Sequence, residues 1–211
     1  MKTETLIDVL ARGAGPAPRA VAARRLWPAA AVGLLASAAM ALTLFGSIPA
    51  AMYATPAPWI KLAYAAALAL AAGWLTARLS RPVARLSWPS RALLAAVVVM
   101  AALGAWTVLA AGPTERLAAL VGETWRSCAW NVLAFSMPAL GGVLWAVRGL
   151  APTRPRAAGF AAGLLAGAVG ALGYALACPE VSPAFVAVWY SLGIALTGVF
   201  GAVLGPHVLR W

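Results

Sequence analysis

Acidic side chains, histidine and cysteine are the scarce components of this chain. Its 211 residues include only five Asp and Glu, one His and two Cys. A lone histidine, His207, excludes haem ligation by two His side chains. No Asp, Glu, Arg or His falls at the centre of a long apolar run, so nothing marks an ion path or a proton relay. A pump or ion-coupled carrier is therefore disfavoured. Lys61 sits close enough to the end of its run to snorkel to the interface. The chain also lacks a glycine-rich phosphate loop and a nucleophile–base pair. The expectation is a protein that is not an enzyme and needs no cofactor.

What is present is apolar. Hydrophobic residues make up 64% of the chain and charged residues 10%, with a mean hydropathy of +0.88. Six runs stand out: Trp27–Ser47, Trp59–Ala77, Arg91–Ala111, Ala129–Val147, Ala157–Ala177 and Pro183–Leu204. Each is near the roughly twenty residues that a helix needs to cross about 30 Å of hydrocarbon. A β-barrel would show alternating hydrophobicity instead. The expected class is all-α: a polytopic membrane protein with six transmembrane helices, whose first partner is the lipid bilayer. The net charge of +11 does not imply direct nucleic-acid binding, because no soluble domain is left to carry it.

Two units are expected, a tail over residues 1–26 and a six-helix domain over 27–211. In the tail, Thr5-x-x-Asp8 is a weak capping box, and Leu6, Ile7, Val9 and Leu10 supply the apolar stripe of a short helix. Such a helix is marginal in isolation, and a disordered tail is the competing expectation. Gly13 to Pro18 breaks the pattern. Arg24-Arg25 before the first run resembles a signal peptide, but the run is too long for a signal core.

Positive charge sets the orientation. Lys2, Arg12, Arg19, Arg24, Arg25, Arg78, Arg81, Arg85, Arg91, Arg148, Arg154, Arg156 and Arg210 fall on one side. The other side holds Lys61, Arg116 and Arg126, offset by Glu115, Glu123 and Glu180. Both termini are expected in the cytoplasm. Trp106, Trp125, Trp130, Trp189 and Tyr190 then fall near the outer interface, where amphipathic rings belong.

Small residues recur every fourth position in the last two runs: Gly159, Gly163, Gly167, Ala171, and Gly193, Thr197, Gly201, Gly205. Such rows let helix backbones approach closely. Packing within one bundle is the favoured use, and a homodimer face the alternative. Pro138 should kink the fourth run. Asn131 is expected to bond a neighbouring helix.

The two cysteines carry the remaining chemistry. Cys128 opens the fourth run and Cys178 ends the fifth, so both fall at the outer interface. A disulfide is feasible if those helices are neighbours, and the compartment would permit it. Arg126 could favour a Cys128 thiolate if it turned toward the sulfur. Glu180 could oppose that at Cys178, or serve as a third, oxygen ligand to a soft metal held by Cys128 and Cys178. Three readings stay open: a static disulfide, a redox or metal sensor, and unpaired thiols.

Several stretches resemble a known family. They are the opening Met1-Lys-Thr-Glu-Thr-Leu-Ile-Asp8-Val-Leu, Trp125-Arg-Ser-Cys128, Ser136-Met-Pro138 and Arg148-Gly-Leu-Ala-Pro152. Further on come Gly170-Ala-Leu-Gly-Tyr174-Ala-Leu-Ala-Cys178-Pro179, Trp189-Tyr190 and Leu209-Arg-Trp211. They resemble the negative regulator of sigma F (NrsF) family of bacterial membrane anti-sigma factors. The resemblance covers the whole chain in layout and the second half in motif. It implies six helices in the bacterial inner membrane and an N-terminal segment that holds an extracytoplasmic-function sigma factor inactive. It also implies that the paired cysteines answer to oxidants or heavy metals. Under this reading Leu6, Ile7, Val9 and Leu10 would form the sigma-binding helix. The alternative is a membrane thiol-disulfide oxidoreductase, which would need a second redox pair that the chain does not have.

Reporter fusions test the orientation. Fusions after Arg85 and Arg154 should read cytoplasmic, and fusions after Glu115 and Glu180 should read external. A cytoplasmic signal at Glu180 would overturn the assigned topology.

Overall fold

The computed structural model describes residues 3–13, 20–81 and 86–210. Every regular element among them is helical. A short helix α1 (Thr3–Gly13) comes first. Then come α2 (Val21–Phe45), α3 (Pro56–Leu79), α4 (Ser87–Ala110), the short α5 (Arg116–Val121), α6 (Trp125–Arg148) and α7 (Pro155–Ala175). The last helix, α8 (Pro183–Val208), contains a π-helical turn at Val186–Tyr190. Six of these helices are long and apolar enough to cross a membrane.

Their ends follow local chemistry. Pro56 and Pro155 occupy first-turn positions, where a missing N–H costs nothing. Gly46 closes α2 at φ 75°, a backbone angle that suits glycine, and its N–H bonds the Leu42 carbonyl. α2 begins six residues ahead of the apolar run, so Arg24 and Arg25 lie in its opening turns rather than in a tail. Pro138 sits inside α6 and does not end it. The break expected from Gly13 to Pro18 lies, past Gly13, outside the described residues, as do Lys2, Arg19 and Arg85.

Consecutive long helices alternate in direction. The outgoing end of α2 meets that of α7, where the Ile48 N–H bonds the Leu176 carbonyl at 3.1 Å. The start of α7 meets the end of α8, where a Cβ on Gly159 would lie 2.9 Å from the Gly205 Cα. One end of the bundle therefore gathers the ends of α2, α4 and α7 with the starts of α3, α6 and α8.

Helix α7 is the central post. Fifteen of its residues are buried, among them Ala158, Ala162, Ala166 and Val169. It packs against α8 above all, then α3, α6 and α2. The cause is side-chain size: a Cβ on Gly163 would come 2.8 Å from the Gly198 Cα, and one on Gly167 2.9 Å from the Ile194 Cα. On its other faces a Cβ on Gly170 would meet the Ser136 Cα at 2.8 Å, and one on Gly173 the Ser37 Cβ at 2.7 Å. The small-residue rows are thus occupied by packing within one chain. By contrast α4 buries only Pro89, Met100 and Gly104.

Helix α1 has no buried residue, and Leu6, Ile7, Val9 and Leu10 are all exposed. It starts at Thr3, so Thr5 is inside the helix rather than at its cap. A salt bridge of 2.7 Å from Arg12 to Asp8 spans one turn.

Gly163→Val should overpack the α7–α8 contact and cost roughly 1–3 kcal/mol. Gly141→Val should be near neutral, because a Cβ there meets nothing within 4 Å. Unfolding of the purified protein in mixed micelles would compare them, and equal stability would refute the close-contact account.

Candidate signal-sensing site

The two cysteines lie at the shared end of α3, α6, α7 and α8. Cys128 is one turn into α6, its N–H bonded to the Thr124 carbonyl at 2.9 Å. Cys178 follows the last turn of α7, its N–H bonded to the Tyr174 carbonyl at 3.0 Å. Both are free thiols with no exposed surface, and they lie against one another. The arrangement is a reduced dithiol at zero exposure.

Three residues, from α3, the loop after α7 and α8, hold it. Lys61 of α3 is 1% exposed. Its Nζ donates to the Cys178 carbonyl at 2.6 Å and the Glu180 carbonyl at 2.9 Å. The snorkelling expected of it is therefore wrong: the amine reaches inward, because unpaired loop carbonyls lie within its reach. Glu180 Oε1 accepts from the Glu123 N–H at 2.8 Å, the Thr124 N–H at 2.8 Å and the Thr124 hydroxyl at 2.9 Å. A carboxylate at a helix start satisfies orphan donors and complements the dipole there. Gly122, at φ 59°, makes room for it, since a Cβ there would come 2.6 Å from Glu180 Oε2.

The third is Tyr190, which is fully buried. The π-helical turn ends on it. Its hydroxyl has no hydrogen-bond partner, although it lies beside the Cys178 sulfur. Its ring stacks on Tyr174 with centroids 6.0 Å apart, and Tyr174 stacks on Phe135 at 5.7 Å. Asn131 donates to the Tyr174 hydroxyl at 3.2 Å, the helix-to-helix bond expected of it.

The charges divide unevenly between the thiols. A thiolate at Cys178 would accept from the Cys128 S–H, and the Lys61 amine lies close by. These lower the Cys178 thiol below its ordinary range. Arg126 does not turn toward the sulfurs; its guanidinium lies over the Trp125 ring at 5.1 Å. The cation that faces the pair is Lys61. Its signal in the sequence was a lone charge inside an apolar helix, and Tyr190 left no comparable one.

Glu180 shares the site and bonds the start of α6. One of its oxygens is occupied at the α6 start, and among the described residues no three His, Cys, Asp or Glu side chains gather into a metal-binding group. Leu6, Ile7, Val9 and Leu10 belong to α1 and are not part of this cluster.

The sequence model of the family described as Negative regulator of sigma F matches residues 10–211. A "Probable anti-sigma-F factor NrsF" from Azospira oryzae is 41% identical over 216 residues, covering all of both chains. An "Anti-sigma-F factor NrsF" from Caulobacter vibrioides is 38% identical over 218 residues, again covering all of both. No solved structure matches.

Glu180→Ala removes the acceptor for three donors at the α6 start and should cost about 1–3 kcal/mol. Glu180→Gln keeps an acceptor oxygen and should lose clearly less. Unfolding in mixed micelles measures both, and an undisturbed Glu180→Ala protein would rule out the carboxylate as the tie between the loop and α6.

Proposed function

The chain belongs to the negative regulator of sigma F family, and from that membership we propose that it is a membrane-held anti-sigma factor released by a thiol signal. Its six long apolar helices sit in the bacterial inner membrane with both termini in the cytoplasm. Its partner is an extracytoplasmic-function sigma factor, the partner class that the family likeness implies.

Helix α1 is the binding element. An exposed apolar stripe of Leu6, Ile7, Val9 and Leu10 on a helix with no buried residue suits docking into a hydrophobic groove, as amphipathic helices commonly do. The bilayer keeps the captured sigma factor away from the transcription machinery.

The observation that carries the sensing half is the pair of free thiols, Cys128 and Cys178, buried together at one end of the bundle. On this reading that end faces the periplasm, and a redox or heavy-metal signal acts there. A signal shifts an equilibrium only by its differential affinity for two states, so the pair must be linked to an element that moves. Bonding the sulfurs redraws the contact between the α6 start and the loop after α7. The far ends of those helices meet at Arg148 to Pro155, on the side where α2 and the tail begin. A small tilt about the α7 contacts thus carries the change across about 30 Å.

Two variants test the two halves in one transcription assay. Leu6→Asp with Leu10→Asp should raise target transcription without stress, while the protein still inserts. Cys128→Ser with Cys178→Ser should reduce induction by oxidant or soft metal to none, locked either repressing or active. Full repression by the first variant would remove α1 as the binding element. Normal induction in the second would reduce the cysteines to packing residues.

A further inference from the structure

The thiols are not equivalent, and their surroundings order the chemistry. We propose that Cys178 is oxidised first, to a sulfenic acid whose new oxygen is bonded by the Tyr190 hydroxyl, and that Cys128 then resolves it to a disulfide. The inference rests on the reading of this pair as the sensing site.

Two observations carry it. Tyr190 is fully buried and its hydroxyl is the buried side-chain oxygen left without a partner among the described residues. Leaving a buried donor unpaired costs free energy, so an orphan at such a place marks a group that another state satisfies. The hydroxyl lies beside the Cys178 sulfur. The second observation is the π-helical turn Val186–Tyr190, which interrupts an otherwise regular α8 and ends on this residue. Single π turns inside α-helices are rare and frequent at functional sites. The Tyr174 ring against it and the Asn131 bond to the Tyr174 hydroxyl hold that stack in place.

The remaining contacts favour Cys178 as the attacking sulfur. Lys61 grips its carbonyl at 2.6 Å and fixes the loop, bringing a cationic group next to this thiol. Pro179, the next residue, is exposed, so the loop that carries Cys178 reaches the surface. Cys128 sits in a regular helix turn, with the Cys178 thiol against it.

With hydrogen peroxide as the oxidant the steps balance. The Cys178 sulfur attacks one peroxide oxygen; the O–O bond breaks, an S–O bond forms, and the thiol proton leaves with the other oxygen as water. The Tyr190 O–H donates to the bound oxygen and gains the partner it lacks. The Cys128 sulfur then attacks the Cys178 sulfur; the S–O bond breaks, the S–S bond forms, and the hydroxyl leaves as water with the Cys128 proton. The two thiols give up two electrons and peroxide becomes two waters, in keeping with the sulfenic route to disulfides.

The test uses full-length protein in native membranes, hydrogen peroxide and a dimedone probe for sulfenic acids, read by mass spectrometry. Cys128→Ser should be labelled at Cys178 several-fold more than Cys178→Ser is at Cys128. Adding Tyr190→Phe, which removes one oxygen and keeps the ring, should lower the Cys178 label several-fold and raise its sulfinic acid. Equal or greater labelling of Cys128 overturns the order, as does no label at either thiol. A Cys178 label that ignores Tyr190→Phe overturns the tyrosine's part. This readout needs no sigma factor. If the label appears as expected while the double cysteine variant still induces normally, the order stands and the sensing role falls.

Discussion

Close approach of backbones around α7 is the constraint on which this structure depends. Where a bundle is surrounded by apolar material, burial of apolar side chains does not by itself favour one helix pairing over another. Contact area and polar satisfaction must do it. Gly159, Gly163 and Gly167 let α8 come within backbone distance, and Gly170 and Gly173 do the same for α6 and α2. Three of the four neighbours of α7 are thereby fixed in position, and with them the end of the bundle where the thiols meet.

The thiol end is tied by polar contacts that run between elements rather than within them. Lys61 links α3 to the loop after α7, and Glu180 links that loop to the start of α6. Ser182 donates to the Ala119 carbonyl at 2.6 Å, and the Trp189 indole to the Leu120 carbonyl at 3.0 Å, which fastens α5 to the start of α8. Non-helical backbone at such a place survives only where protein groups complete its hydrogen bonds. Through the same bonds the loop carrying Cys178 is joined to the helix carrying Cys128.

The family likeness and the geometry support different parts of the functional reading. Likeness over the full chain speaks to what the protein regulates. Geometry speaks to how it would do so: a helix with an exposed apolar stripe before the bundle, and two reduced thiols held together inside it. Neither Glu180 nor Arg126 plays the part that adjacency in sequence suggested, since one caps a helix and the other lies on Trp125.

The sequence by itself determined the six helices, their approximate ends, the small-residue rows and the placing of Cys128 and Cys178 at one end. These are local properties: the length of an apolar run, proline and glycine at its borders, and alternation of direction from one run to the next. Only the tertiary structure decided the partners of Lys61, Glu180 and Tyr190. Lys61 finds its acceptors 117 and 119 residues away, and Glu180 its donors 56 and 57 residues away. Nothing in a run of composition encodes which carbonyl a lysine will meet across a bundle, or that one π-helical turn will leave a tyrosine hydroxyl beside a thiol. Those facts arise from how helices pack, and packing was set by glycines on α7.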